Sequence, residues 1–141
     1  MSLQNTPVTE NEMLARFVFQ SKHFRSSDNT VKPECFMPHP HQDMSVTRHR
    51  DIDESELWKL GSNAATERSR KSGTQITMYG RADISAKDIF DTDLNIEPSE
   101  PPKNHANIKT FPSEKAKQKQ IALLLALKAH LVYFQNKMNN I

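Results

Sequence analysis

At 141 residues the chain has the length of one domain; its hydrophobic fraction of 35% and mean hydropathy of −0.73 mean that the core comes from a minority of segments. A single cysteine, Cys35, excludes an internal disulfide, and no signal-peptide pattern or membrane-length apolar run is present, so a cytoplasmic protein without membrane contact is expected. The net charge of +2 conceals a segregation: residues 103–141 carry seven lysines against Glu114 alone, and such a segment attracts phosphates, an acidic partner or the acidic 83–100 stretch of its own chain.

Residues 1–12, "MSLQNTPVTENE", lack apolar periodicity and are expected to form a flexible tail, leaving residues 13–141 as a single domain. "ARFVFQ" reads as a strand, "RSSDNT" as a polar loop, and "VKPECFMP" as a second strand that Pro33 confines to an edge or a bulge. Cys35, in "ECFM", reads as a small buried hydrophobe. "DMSVTRHR" alternates, with Met44, Val46 and Arg48 on one side and Ser45, Thr47 and His49 on the other.

A helix start follows at "DIDESELWKL", where Asp53 is an N-cap, Glu56 completes a capping box, and Ile52 and Leu57 take the staple positions. Leu57, Leu60 and Ala64 share a face, so the helix is amphipathic and runs to about residue 70, with Gly61 weakening it. "TQITMYGRADI" and "LNIEP" read as strands, "PSEPPK" as a connection and "NHANIKTF" as the last extended piece.

Pro112 and Ser113 open a final helix expected from about Glu114 to Lys137. Its middle, "IALLLALKAHLVYF", is too short for a bilayer and carries Lys128 and His130. A helix apolar nearly all round needs cover on two sides, and a small sheet supplies one. Residues 121–134 are therefore expected to meet helix 53–70, a second copy in a homo-oligomer, or a partner protein. The element order implies an α+β fold: a small, largely antiparallel sheet with one amphipathic helix and a long apolar C-terminal helix packed on one face.

Three short echoes, "HRDI" at 49–52, "RADI" at 81–84 and "HANI" at 105–108, carry polar residues in a common phase. In extended chain the first and third residues of each lie opposite the isoleucine, which groups His49 with Asp51, Arg81 with Asp83, and His105 with Asn107. If the strands are neighbours, this set holds acid–base groups, a fixed cation and carboxylates. Otherwise these are polar strand ends that satisfy local turns.

Lys115, Lys117 and Lys119 crowd the first turns of the last helix, where the helix dipole disfavours cations. A bound anion would compensate, with His105, Asn107 or Lys109 contributing from the incoming strand. In "MPHPHQDMSVTRHR", His39 and His41 form an H-x-H pair that could chelate a transition metal if His49, Asp43 or His23 supplied a third ligand; a proline-bearing loop has the same look. Arg48 is the more demanding residue, because its strand phase buries a guanidinium that needs an anion, either a ligand phosphate or Asp83 as an internal ion-pair partner.

The leading expectation is a domain that binds RNA or a nucleotide and acts, if at all, as a metal-independent nuclease. His23 and His105 would be its acid and base, and Arg48, Arg81, Asn107, Lys109 and Lys115 its phosphate contacts. The alternative is a non-catalytic subunit docking through its apolar C-terminal helix, and a third class is a histidine-rich metal binder. No cofactor is implied: three glycines leave no glycine-rich phosphate loop, and neither CxxC nor GxSxG occurs.

Overall fold

The structure is a computed structural model and describes residues 6–40 and 43–134. Its centre is a six-stranded antiparallel sheet built from β1 (Met13–Val18), β4 (Met44–Arg48), β5 (Gly80–Ser85), β6 (Asn95–Pro98), β7 (His105–Lys109) and β8 (His130–Tyr133), in the order β6-β7-β4-β1-β5-β8. A small hairpin, β2 (Phe24–Arg25) with β3 (Thr30–Val31), stands apart from it. Three helices complete the fold: α1 (Glu54–Ser72), α2 (Ala86–Phe90) and α3 (Lys115–Lys128). This is the α+β architecture that the element order implies.

Register assigns the faces. Leu14 lies opposite both Arg48 and Ile84, and Val46 opposite Ala106, so these residues share one face with Val18, Met44, Ala82 and Ile108. That face is the main core, closed by Ala122 and Leu125 of α3, Ala86 and Ile89 of α2, and the turn Pro33–Phe36. α1 takes the opposite face, over Phe17. A Cβ on Gly61 would come within 2.6 Å of the Phe17 ring and 2.5 Å of the Met78 sulfur, so the glycine that weakens the helix lets it lie close to the sheet. The buried line of α1 is Leu57, Gly61 and Ala65, displaced from the expected Leu57–Leu60–Ala64 face. Asp53 caps the helix, its carboxylate accepting from the Glu56 amide at 2.7 Å, while the Glu56 carboxylate accepts from Lys103 instead of closing the box.

Several expectations are corrected. The final helix stops at Lys128, and "HLVY" becomes the edge strand β8, since branched and aromatic residues gain more by pairing with the open edge of β5 than by prolonging a helix into solvent. "VKPECFMP" splits into the end of a hairpin and a helical turn, with Pro33 at the turn's first position. "TQITMYGRADI" is a strand only from Gly80, and the short α2, capped by the Ser85 side chain, follows directly. Residues 6–12 are tied down: the Thr6 and Pro7 carbonyls accept from Arg48, and the Glu12 carbonyl from the Ala86 amide at 2.8 Å. Among the described residues no helix is long and apolar enough to cross a membrane.

Candidate functional site

The polar members of the second and third echoes fall on the α1 face, His49 joins them through Asp83, and Asp51 lies in the exposed turn before α1. Thr47 lies opposite both Ala15 and His105, and Ala15 opposite Asp83, so His105, Thr47, Ala15 and Asp83 form one row across four strands. The next row holds Asn107 opposite Ser45, and Arg81 opposite Phe17. Helix α1 divides this face in two.

Beneath its N-terminus, Arg81 is saturated with anions. Its Nε donates to both Asp83 oxygens at 3.0 and 3.1 Å, and Nη2 to Glu54 Oε1 at 2.8 Å. Nη1 lacks an aligned hydrogen bond, but it stands 2.7 Å from Glu54 Oε2, close enough for its charge to be balanced. The guanidinium also lies 4.5 Å over the Trp58 ring, a cation–π contact. His49 Nε2 sits 3.2 Å from Asp83 Oδ1. The hydrogen bond from Arg81 holds the Glu54 carboxyl below its ordinary value, outweighing the opposing effect of burial. Asp83 is thus ion-paired with Arg81 and in hydrogen-bond contact with His49.

Arg48 has a different partner from the one expected. It lies on the main-core face, across the sheet from Asp83, and its Nε and Nη2 donate to Glu12 Oε1 and Oε2 at 2.7 and 2.8 Å. With Nη1 donating to the Thr6 carbonyl at 2.6 Å and Nη2 also to the Pro7 carbonyl, four of its five donors are spent inside the fold, and its burial keeps the fifth from a ligand phosphate.

On the other side of α1 the same face opens into a cleft of about 840 Å³. Ser45, Thr47 and His105 belong to its floor, Leu60, Ala64 and Arg68 to the α1 wall, and Met37–Pro40 to the facing wall. Arg16, Lys22, Arg68, Lys71, Lys103 and Lys115 line it against only Glu34, Asp43 and Glu67. Asp43 is 3.4 Å from Lys109, Glu67 bonds to Arg70, and Lys103 bonds to Glu56 at 2.8 Å. Phe17 and Phe19 add aromatic surface, and Arg68 stacks 4.6 Å over Phe19.

Arg16 is the residue that sequence reasoning missed. It falls in phase with Leu14 and Val18, on the main-core face, but the register pairs of β1 with β4 stop at Ala15, and beyond them its side chain reaches between the two strands to the cleft lining. Its Nε donates to the Cys35 carbonyl at 2.5 Å and Nη1 to the Ser45 carbonyl at 2.9 Å, and no carboxylate among the described residues pairs with it. Carbonyls orient a guanidinium without balancing its charge. The signal was present in "ARFVFQ": a charged residue on an apolar strand face, the pattern that singles out Arg48.

The expected acid–base pair, His23 and His105, lines this cleft, as do Lys115 and His39. Burial, reinforced by the charges of Arg16, Lys22 and Arg68, lowers His23 to about 4, although Glu34 opposes the shift. His105 Nδ1 is 2.9 Å from the Ser99 carbonyl, which orients the ring. Asn104 supports it from the preceding position, donating through Nδ2 to the carbonyls of Arg48 and Arg50 at 3.0 and 2.6 Å. Asn107 is buried on the same sheet face, and its Oδ1 has no partner among the described residues. Burial pushes the Cys35 thiol up, away from the thiolate. His41 lies outside the described residues, and among those described no three His, Cys, Asp or Glu side chains form a group able to hold a metal ion. Compared with known proteins, the chain matches no family model, no curated protein and no solved structure.

Proposed function

We propose that the α1 cleft binds a phosphate-bearing ligand, a nucleotide or single-stranded RNA. The observation that carries this is Arg16, a guanidinium in the cleft lining held by two carbonyls and balanced by no carboxylate. A ligand phosphate would supply the missing charge. Phe17 and Phe19 offer the aromatic faces on which bases stack, and Lys71 and Lys115 add exposed cations.

The proposal is for binding rather than cleavage. His105 is held by the Ser99 carbonyl and His23 is kept neutral by burial among cations, so among the described residues neither is bonded to the other or to a group that would carry its proton. Fluorescence anisotropy with a labelled single-stranded RNA tests the reading. Binding should weaken linearly with the logarithm of salt, with a slope of about −0.7 per phosphate contact, and should drop in Arg68→Ala and Lys71→Ala. Salt-independent or absent binding would overturn it.

A second reading concerns α3. Leu123, Leu124 and Leu127 are 49%, 51% and 73% exposed, side by side on one helix. We propose that a second copy of the chain covers them. Lys119 and Lys128 lie on the same helix, and α2, packed beside it, carries Asp88 and leads through Asp91, paired with Lys87, to Asp93. A two-fold pairing lets each copy's basic helix face the other's acidic one around the leucines. Light scattering should give a dimer that Leu124→Lys dissociates, and a monomer at every concentration would overturn the reading.

A further inference from the structure

We propose that the Arg16 end of the cleft is a subsite for a terminal phosphate, a phosphomonoester dianion, rather than for the internal phosphodiesters of a passing strand. This rests on the reading of the cleft as a phosphate-ligand site, and it adds which phosphate is held and by what.

The first support is donor accounting. A guanidinium has five N–H donors, and Arg16 spends one from Nε and one from Nη1 on the carbonyls of Cys35 and Ser45. Nη2 makes no hydrogen bond among the described residues, although Arg16 lines the cleft. The two carbonyl bonds fix the group in place, so little freedom is lost when an anion meets its remaining donors.

The second support is charge. Arg68 and Lys22 line the same end, and neither is ion-paired among the described residues. Both line the cleft together with Arg16 and His23, and all three charges act on that ring with the same sign. Glu34 is the carboxylate that opposes them there, while Glu67 is engaged with Arg70 at 2.5 Å. Three cations and one carboxylate leave two positive charges around a histidine that is neutral at pH 7. A monoester carries about −1.5 to −2 at that pH, which matches; a diester, with a single charge, would leave one guanidinium unbalanced.

The experiment compares three short RNAs of one sequence, bearing a 5′-phosphate, a 3′-phosphate or hydroxyls at both ends, with the intact chain. One phosphorylated form should bind about tenfold or more tightly than the dihydroxyl form, the ratio expected when hydrogen bonds to a charged group are gained, and which form gains identifies the terminus held. The gain should vanish in the Arg68→Gln and Lys22→Gln variants, whose exposed positions leave the core intact. The His23 imidazole, followed by NMR, should titrate higher in the presence of the tighter ligand than without it. Equal affinity for all three RNAs, with normal salt dependence, would overturn the terminal subsite and leave the cleft reading standing. Failure of all three to bind at low salt would overturn both.

Discussion

Arg48 and Glu12 form a two-pronged ion pair, Nε to Oε1 at 2.7 Å and Nη2 to Oε2 at 2.8 Å, that ties the segment before β1 to the end of β4. Arg48 is 1% exposed, so its charge depends on this partner. Removing one member of a buried pair strands the other, which typically costs about 3–5 kcal/mol and costs most when the stranded charge is the one cut off from solvent. Because Glu12 retains some solvent contact, Glu12→Ala should cost about 3 kcal/mol, and Arg48→Met should cost less. Urea titration reads both as shifts in midpoint at constant slope. A loss below about 1 kcal/mol in Glu12→Ala would mean that water replaces the carboxylate.

The same pair makes the fold acid-sensitive. Burial pushes the Glu12 carboxyl up, but the hydrogen bond and charge of Arg48 and the Thr9 amide outweigh it, and the group ends below its ordinary 4.5. A carboxyl with a depressed folded-state pKa contributes stability that is complete above the unfolded value and is lost as pH falls through the folded one. Wild-type stability should therefore decline below about pH 4.5, the unfolded value. Glu12→Gln should be less stable at neutral pH and show a shallower decline. Parallel curves for the two proteins would remove Glu12 from the acid transition.

His23 adds a second pH window with the same sign. Its folded-state value of about 4 lies below the ordinary 6.5, with burial as the largest cause and three neighbouring cations contributing. Between those values the unfolded chain binds the proton and the folded chain does not, so stability falls as pH drops from 6.5 towards 4. His23→Gln should flatten this part of the curve, and the imidazole resonances should titrate near pH 4 in the ligand-free protein. A midpoint near 6.5 would show the ring to be solvated and the cations around it screened.

Strand phase made much of this legible before any coordinates. The echoes place Arg81, Asp83, His105 and Asn107 on one face because alternation in a strand is rigid, and a one-residue slip would bury the isoleucines' neighbours instead. It also marked Arg48 as needing an anion. What it lacked was the identity of that anion: Asp83 is on the opposite face, and Glu12 lay in a segment whose polarity reads as a tail. Pairing partners are set by sheet order, which local pattern does not encode. Arg16 was legible by the same rule but was hidden inside an aromatic run. The turn of the chain at Ala129 had no local signal, since "IALLLALKAHLVYF" suits a helix throughout and only the open edge of β5 makes its end a strand.

That edge depends on Gly80. A Cβ there would collide with the Val132 carbonyl and meet the Tyr133 Cα at 3.0 Å, and because the first of these is backbone, no side-chain rotation relieves it. Gly80→Ala should therefore pry β8 from β5 at a cost of about 1–3 kcal/mol, the range for overpacking. The amides of Val132 and Phe134, which face β5, should lose protection in hydrogen exchange, and the hydrogen bond from the Tyr133 hydroxyl to Asn29 Oδ1, 2.9 Å in the folded chain, should break. Gly73→Ala is the control. Gly73 has φ of 74° and nothing within 4 Å of an added Cβ, so its substitution strains the end of α1 by roughly 1 kcal/mol without touching β8. If the two variants lose similar stability and the β8 amides stay protected in both, the sheet absorbs the collision by local twist, and the close approach of Val132 is not what requires glycine at this position.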